Sequence, residues 1–220
     1  MTPARVIDTH RLSVLAHEYE REIVQFFHDL TGPDGPAAGR IRREAGKIPF
    51  EEIRTDAAGS LLARIGTGKH TILLEAHNAA GMAAALYGAK LIHELGMYDD
   101  FTLWVGQWRI HAVRESGIAA EGVLIAEPTN LCIGMSEAAA EGFLSESHPL
   151  VEAAIGAYET LFELPPIVSQ SPTHGGPIGI PAIVFGPGEV RELAPIHHLL
   201  KAAQFYAAFP TMYVDAVRRR

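Results

Sequence analysis

A single histidine stands where a predicted buried strand meets a predicted apolar helix. Residues 71–90, TILLEAHNAAGMAAALYGAK, begin as a continuous apolar run and end as an apolar helix, with His77-Asn78-Ala79-Ala80-Gly81 between them. In an α/β sheet, functional groups usually gather where strands end at their carboxyl side, and histidine serves there as an acid–base group or a metal ligand. Because the residues after His77 are small, this turn offers one strongly reactive side chain.

A carboxylate follows a second predicted strand. Glu127 stands between Ala126 and Pro128, directly after the apolar run 122–126. A carboxylate in apolar surroundings needs a partner or solvent, so Glu127 is a candidate site residue. The alternative is a structural role in a turn or helix cap formed with Thr129 and Asn130.

Two other stretches contain residues typical of reactive loops but lack the required pattern. Residues 66–69 (GTGK) precede a strand, whereas a phosphate-binding loop joins a strand to a helix and has a longer spacing. Residues 171–176 (SPTHGG) lack a Gly-x-Ser-x-Gly elbow, and no aspartate partner can be assigned to them. We therefore predict neither a phosphate site nor a serine nucleophile.

Composition indicates a globular protein that does not bind highly negative partners. The 220 residues are 48% hydrophobic, which is enough for a large core, and the net charge is −8. That charge disfavours binding to nucleic acids and to anionic membranes. The one dense basic run, Arg218-Arg219-Arg220, is interpreted as a solvated end. No apolar run reaches the ~18 residues that a membrane span needs.

Cysteine usage and the first residues of the chain favour the cytoplasm. Cys132 is the single cysteine, which excludes an internal disulfide and fits a reducing compartment. Residues 1–20 carry charges every few positions and contain no apolar segment of the kind found in secretory signals. We therefore predict a cytoplasmic location.

The elements that must position His77 and Glu127 alternate regularly along the chain. The patterns predict a single domain over residues 1–220, an α/β sheet with helices on both faces. Residues 134–147 lack a clear period and are interpreted as a linker. The predicted helices are 9–30, a weaker one ending near Lys47, 80–95, 108–116, 148–162 and 196–208. The predicted strands are two around the turn 56–59, then 71–76, 101–106, 122–126 and 181–185.

Several stretches, taken in order, are similar to one family. They are RTDAAGSLLARIGTGKHTILLEAH, GMAAALYGAKLIHELGMYDDFTLWV, VLIAEPTNL, HPLVEAAIGAYETLF, GIPAIVFGPGE and HHLLKAAQFYAAFP. Together they resemble the M20 metallopeptidases, which include acetylornithine deacetylases, succinyl-diaminopimelate desuccinylases and YgeY-like hydrolases. The resemblance implies a zinc-hydrolase-like catalytic domain with three layers, a mixed sheet flanked by helices. In relatives a lid and dimerisation domain follows the EPTNL strand, and here residues 134–147 take its place, which implies that the lid is absent.

The family hydrolyses amides with two metal ions that share a water, and the resemblance carries two of its ligands into this chain. His77 matches the histidine of the family's His-x-Asp strand end, although Ala79 stands where the aspartate belongs. Glu127 matches a carboxylate ligand. The implied ion is zinc or cobalt, held by His77 and Glu127. The loop that carries the bridging aspartate has no counterpart between Asn78 and Gly81.

Two further parts of the family site do not map onto the sequence. A Glu-Glu pair should follow FTLWV, but residues 106–109 are GQWR and the next glutamate is Glu115. The last histidine ligand should follow the GPGE turn, where residues 192–197 read ELAPIH; His197 and His198 align better with the start of a helix. Four histidines are candidates to rebuild a site with His77, or else ordinary surface and cap residues: His111, His174, His197 and His198.

The resemblance therefore implies an M20-like metal-dependent amide hydrolase, a deacylase or peptidase, whose activity is lost or severely impaired. Its partner would be a small N-acyl amino acid or a peptide. The alternative is a non-catalytic scaffold or self-associating protein, a homo-oligomer built on the same fold. Such a protein would come from a lineage that kept the scaffold for another use, or from deliberate shortening of the loops by design.

Overall fold

A computed structural model of the chain describes residues 6–31, 38–55, 59–107, 117–135, 137–138, 142–170, 180–188 and 193–220. The helices in these segments are α1 (Thr9–Glu18), α2 (Glu20–Thr31), α3 (Ala38–Ala45), α4 (Ala79–Glu94), α5 (Pro149–Phe162) and α6 (Ile196–Arg218). The strands are β1 (Glu52–Thr55), β2 (Leu61–Ile65), β3 (His70–Ala76), β4 (Phe101–Gly106), β5 (Gly122–Ala126), β6 (Ile133–Met135), β7 (Glu137–Ala138), β8 (Gly142–Phe143), β9 (Val168–Gln170) and β10 (Ala182–Val184).

Eight of these strands form one mixed sheet in the order β1-β2-β4-β3-β5-β10-β6-β9. Its centre is parallel: β3 pairs with β4 and β5, and β5 pairs with β10. Antiparallel pairs flank this centre, β2 with β4 on one side and β6 with β10 on the other. The predicted mixed α/β sheet flanked by helices is confirmed.

The core is divided by the sheet. One large apolar cluster joins residues of all six described helices to one face of the sheet. The opposite face carries a smaller cluster, which contains no residue of a described helix: Leu62, Leu73, Trp104, Val123, Ile125, Ala182 and Val184. The helix predicted over 108–116 lies outside the described residues.

Helices α4 and α6 form the centre of the helical layer. Gly88 of α4 allows their close approach, because a Cβ at this position would lie 2.8 Å from the Cβ of Tyr206 and 3.0 Å from the carbonyl oxygen of Ala203. The hydroxyl of Tyr206 donates to the carbonyl of Phe185 at 2.6 Å, which ties α6 to the end of β10. None of the helices in the described segments is both long enough and apolar enough to cross a bilayer.

Three predicted elements differ from the structure. The helix predicted over 9–30 is divided into α1 and α2 at Tyr19, and the helix predicted over 196–208 continues to Arg218 through Pro210. Within 134–147, predicted as an irregular linker, Gly134 and Met135 belong to β6, and the short strands β7 and β8 pair with each other. These differences come from contacts between distant parts of the chain, which local patterns do not contain.

Candidate functional site

The two candidate ligands lie side by side at one edge of the sheet. The neighbouring parallel strands β4, β3, β5 and β10 all end at this edge. His77 and Glu127 each follow directly after the last paired positions of β3 and β5, Ala76 and Ala126. Adjacent strands lie about 5 Å apart, so the backbones of the two residues are neighbours. The structure thus brings together the two positions that the resemblance identified.

His77 is engaged by a carboxylate that sequence reasoning missed. Its Nε2 lies 2.7 Å from Oε1 of Glu75, whose side chain is 4% exposed, while His77 itself is one-third exposed. Side chains alternate along a strand, so residues 75 and 77 extend from the same face. A carboxylate buried among apolar side chains requires a partner, and His77 supplies it. The signal in the sequence is a glutamate two residues before the histidine, inside an otherwise apolar run.

Asn78 connects the start of α4 to the end of β5. Its Oδ1 accepts the backbone N–H of Gly81 at 2.7 Å and caps α4, while its Nδ2 donates to the carbonyl of Ala126 at 3.1 Å. Gly81 lies so close to β5 that a Cβ there would be 2.2 Å from the Ala126 carbonyl oxygen. The first turn of α4 therefore packs against the end of β5. An asparagine just before an apolar helical run is a recognisable cap signal.

Glu127 begins a turn that is bonded to the end of β10. The hydroxyl of Thr129 accepts the N–H of Gly186 at 3.0 Å and donates to the carbonyl of Cys132 at 2.7 Å. A Cβ on Gly186 would lie 2.2 Å from the carbonyl oxygen of Glu127, so the two backbones are in close contact. These bonds are made by Thr129, while Glu127 is partly buried at the start of the turn.

The remaining histidines do not join His77 in the described structure. His198 is at the start of α6, where its Nδ1 accepts the N–H of Gly188 at 3.3 Å. His197 packs its ring against His198 with centroids 4.5 Å apart. His111 and His174, and with them the loop 171–176, lie outside the described residues.

The described donors do not fit a complete metal centre. Among the residues that the structure describes, no group of three or more histidine, cysteine, aspartate or glutamate side chains is arranged to hold a metal ion. A catalytic zinc normally has three protein ligands and an open position. His77 and Glu127 would provide two, and the Nε2 of His77 already contacts Glu75.

A second polar cluster lies at the opposite edge, where β3 and β5 begin. Oε2 of Glu121 lies 2.9 Å from Nδ1 of His70 and accepts the hydroxyl of Tyr213 at 3.2 Å; burial raises the pKa of that tyrosine. Nearby on α6, Asp215 is 8% exposed. Its pKa is raised, first by burial and then by the Asp99 carboxylate.

Comparison with solved structures identifies the class of fold. The chain is similar to the YxeP protein of Bacillus subtilis, described as a dinuclear metal binding peptidase from the M20 family, with a TM-score of 0.68 and 9% identity over 91% of this chain and 99% of that one. It is also similar to the LapA aminopeptidase of Legionella pneumophila, with a TM-score of 0.67 and 11% identity over 96% of this chain and 76% of that one. At these identities the likeness concerns the fold: the chain has the α/β fold of metallopeptidases and aminopeptidases.

Sequence comparison adds one narrower likeness. The chain is 23% identical over 164 residues to the uncharacterized protein YgeY of Escherichia coli strain K12, covering 52% of this chain and 41% of that protein. The matched chain thus spans about two fifths of the curated relative's length. No protein-family model matches the sequence.

Proposed function

We propose that this chain is an M20-like amide hydrolase by descent whose hydrolytic activity is lost or severely impaired. The observation that carries the proposal is the carboxyl edge of the sheet. Two family ligand positions, His77 and Glu127, are adjacent there, but Nε2 of His77 contacts Glu75 at 2.7 Å and Asn78 bonds α4 onto β5. Groups that would serve a metal and its water are thus engaged in contacts within the protein.

The chemistry of the missing groups supports the same proposal. Hydrolysis by paired metal ions needs a carboxylate that bridges the ions and a free carboxylate that takes the proton of the attacking water. The bridging position has no counterpart before Gly81, and the sequence after β4 lacks the Glu-Glu pair. If activity remains, the substrate class is a small N-acyl amino acid or a peptide, and zinc or cobalt is the ion.

The test combines metal binding with turnover. Metal-free protein is titrated calorimetrically with zinc and with cobalt(II), and the loaded samples are assayed on N-acetylated amino acids and on an aminoacyl p-nitroanilide. We expect weak binding and no hydrolysis above that of buffer. His77→Ala and Glu127→Ala remove the two candidate ligands, and His10→Ala, at an exposed histidine of α1, is the matched control. Stoichiometric metal with turnover that disappears in Glu127→Ala would overturn the proposal.

A non-catalytic, self-associating protein is the second candidate, favoured by one feature of the surface. In the described sheet β9 is an edge strand, and two exposed apolar side chains precede it: Leu164 is 61% exposed and Ile167 is 68% exposed. Edge strands beside apolar surface tend to associate. Sedimentation velocity on the wild type and on Ile167→Lys tests this, with Val14→Lys on α1 as the control. Self-association that Ile167→Lys abolishes would favour the scaffold, and a monomer at all concentrations would exclude it.

A further inference from the structure

A cleft of about 310 Å³ opens between α1, α5 and the first turns of α6. We call it the Gln204 cleft, after the residue of α6 that contributes to its wall. The cleft is within the size range of small-molecule sites. It is separate from His77 and Glu127, neither of which is among its lining residues.

Gln204 is the feature that points to a ligand. The residue as a whole is 6% exposed, no hydrogen bond of its side-chain amide is found within the described part of the chain, and the amide is not among the described polar atoms that are shut off from solvent. Buried polar groups in folded proteins almost always have partners, because removing them from water without replacement is unfavourable. An amide that has no partner in the protein and lines a cleft is therefore available to bond to a molecule that enters the cleft.

The other polar groups of the lining are cationic or neutral. Lys201 places its Nζ 5.1 Å from the ring centroid of Phe162, and His197 lies one turn earlier on α6. Nδ1 of His17 donates to the carbonyl of Ser13 at 2.8 Å, which leaves its other ring nitrogen for a ligand. None of the described lining residues is acidic, although the chain carries a net charge of −8. The cleft thus favours an anion on a protein that otherwise repels anions.

The positions along α6 set the length of the ligand. Lys201 and His197 precede Gln204 by three and seven residues, so they lie roughly 4.5 and 10 Å from it along the helix axis. Between these polar groups the walls are apolar, formed by Leu161, Phe162 and Leu200. A matching ligand has an anionic group at one end, a flat apolar body, and a hydrogen-bonding group at the other end.

We propose that the Gln204 cleft is a binding site for a small carboxylate with a ring-sized apolar body and a hydroxyl or carbonyl group at the far end. The carboxylate pairs with Lys201 and His197, the body lies against Phe162, and the far group bonds to the amide of Gln204. This site is independent of the proposed hydrolase ancestry, since it shares no residue with the carboxyl edge of the sheet.

The test uses three probes that differ by one group. 4-Hydroxyphenylacetate has both polar ends, phenylacetate lacks the hydroxyl, and 4-hydroxyphenylacetamide lacks the charge. Calorimetry should show saturable binding of the first probe by the wild type and about tenfold weaker binding of each of the others. Gln204→Met should remove the preference for the hydroxyl, and Lys201→Met the preference for the charge. The matched controls, Gln25→Met and Lys69→Met at exposed positions of the same residue types, should bind as the wild type does.

A second measurement does not depend on the choice of probe. Without ligand, Gln204→Met should leave the melting temperature close to that of the wild type, because the amide has no partner in the protein to lose. Absence of saturable binding at millimolar concentrations would overturn the proposal, as would unchanged probe preferences in both variants. A lower melting temperature for Gln204→Met would also contradict it, since that result would mean that the amide is satisfied in the free protein.

Discussion

The two hydrogen bonds of Asn78, at the junction of β3, α4 and β5, lead to a prediction about stability. Asn78→Ala removes two hydrogen bonds, the cap to the N–H of Gly81 and the bond to the carbonyl of Ala126, at a residue that is 8% exposed. Loss of an N-cap costs about 1 kcal/mol, and up to about 2 where the cap is buried. Loss of the second bond adds about 1 kcal/mol. The free energy of unfolding should therefore fall by about 2–3 kcal/mol.

Two further variants separate these contributions. Asp8→Ala is the matched control, since Asp8 caps α1 from an exposed position with a single bond to the N–H of Arg11 at 2.9 Å, and should cost about 0.5–1 kcal/mol. Asn78→Asp keeps the acceptor for Gly81 but places a carboxylate oxygen against the Ala126 carbonyl. Its cost should be intermediate, about 1–2 kcal/mol.

Urea denaturation followed by circular dichroism measures these differences, provided that the slope with denaturant is unchanged. For a chain of this size the Asn78→Ala loss corresponds to a fall in melting temperature of about 4–12 °C. If Asn78→Ala costs no more than Asp8→Ala, the bond across to β5 contributes nothing and the account of this junction is wrong.

Two other predictions concern close packing and pH. Gly81→Ala should destabilise the protein by about 1–3 kcal/mol, because the added Cβ would meet the Ala126 carbonyl. Gly39→Ala in α3 is the control: nothing lies within 4 Å of its added Cβ, so it should stabilise the protein by about 0.5–1 kcal/mol. Thermal melts of both variants measure the two effects. Asp215 has a raised pKa in the folded protein, so its stabilising contribution is present below the unfolded pKa near 4 and is lost as pH rises through the folded pKa. Asp215→Asn should therefore equal the wild type in free energy of unfolding at low pH and exceed it at neutral pH, as measured by urea denaturation. If the variant and the wild type are equally stable at both pH values, burial and Asp99 do not raise the pKa of Asp215.

The central strands could be predicted from the sequence because their signals are local. The structure places β4 at Phe101–Gly106 and β5 at Gly122–Ala126, the same residues that the apolar runs predict. Both strands are buried throughout their length, which makes the runs continuous, and turn residues bound them. The resemblance already assigned His77 and Glu127 to one site. The structure explains how they become neighbours: β3 and β5 are adjacent parallel strands, so the residues that follow them lie at the same edge of the sheet.

What the sequence did not reveal depends on distant contacts. Tyr19 lies between α1 and α2. The centroid of its ring is 6.2 Å from the ring centroid of Tyr87 and 3.7 Å from Nζ of Lys90. Both partners are on α4, so a pattern within residues 9–30 cannot reveal these contacts. Pro210 predicts the end of a helix, but α6 continues beyond it because residues on both sides are buried in the core. That burial outweighs the cost of about 3 kcal/mol for a proline inside a helix.

The polar groups at the carboxyl edge share one property, which is that each is bonded within the protein. If a metal and its loop are lost, the carboxylates, amides and hydroxyls left behind must find other partners, because unsatisfied polar groups destabilise a folded protein. The described edge has this character: Glu75 contacts His77, Asn78 bonds to Ala126, and Thr129 bonds to Gly186. A metal ion added to this edge would have to compete with the contact between Glu75 and His77. The Glu75→Gln variant weakens that contact while keeping a side chain of the same size, so it should bind zinc more tightly than the wild type does. Calorimetric titration checks this: equal binding would mean that the contact does not compete with the ion, and weaker binding would mean that Glu75 itself helps to hold it.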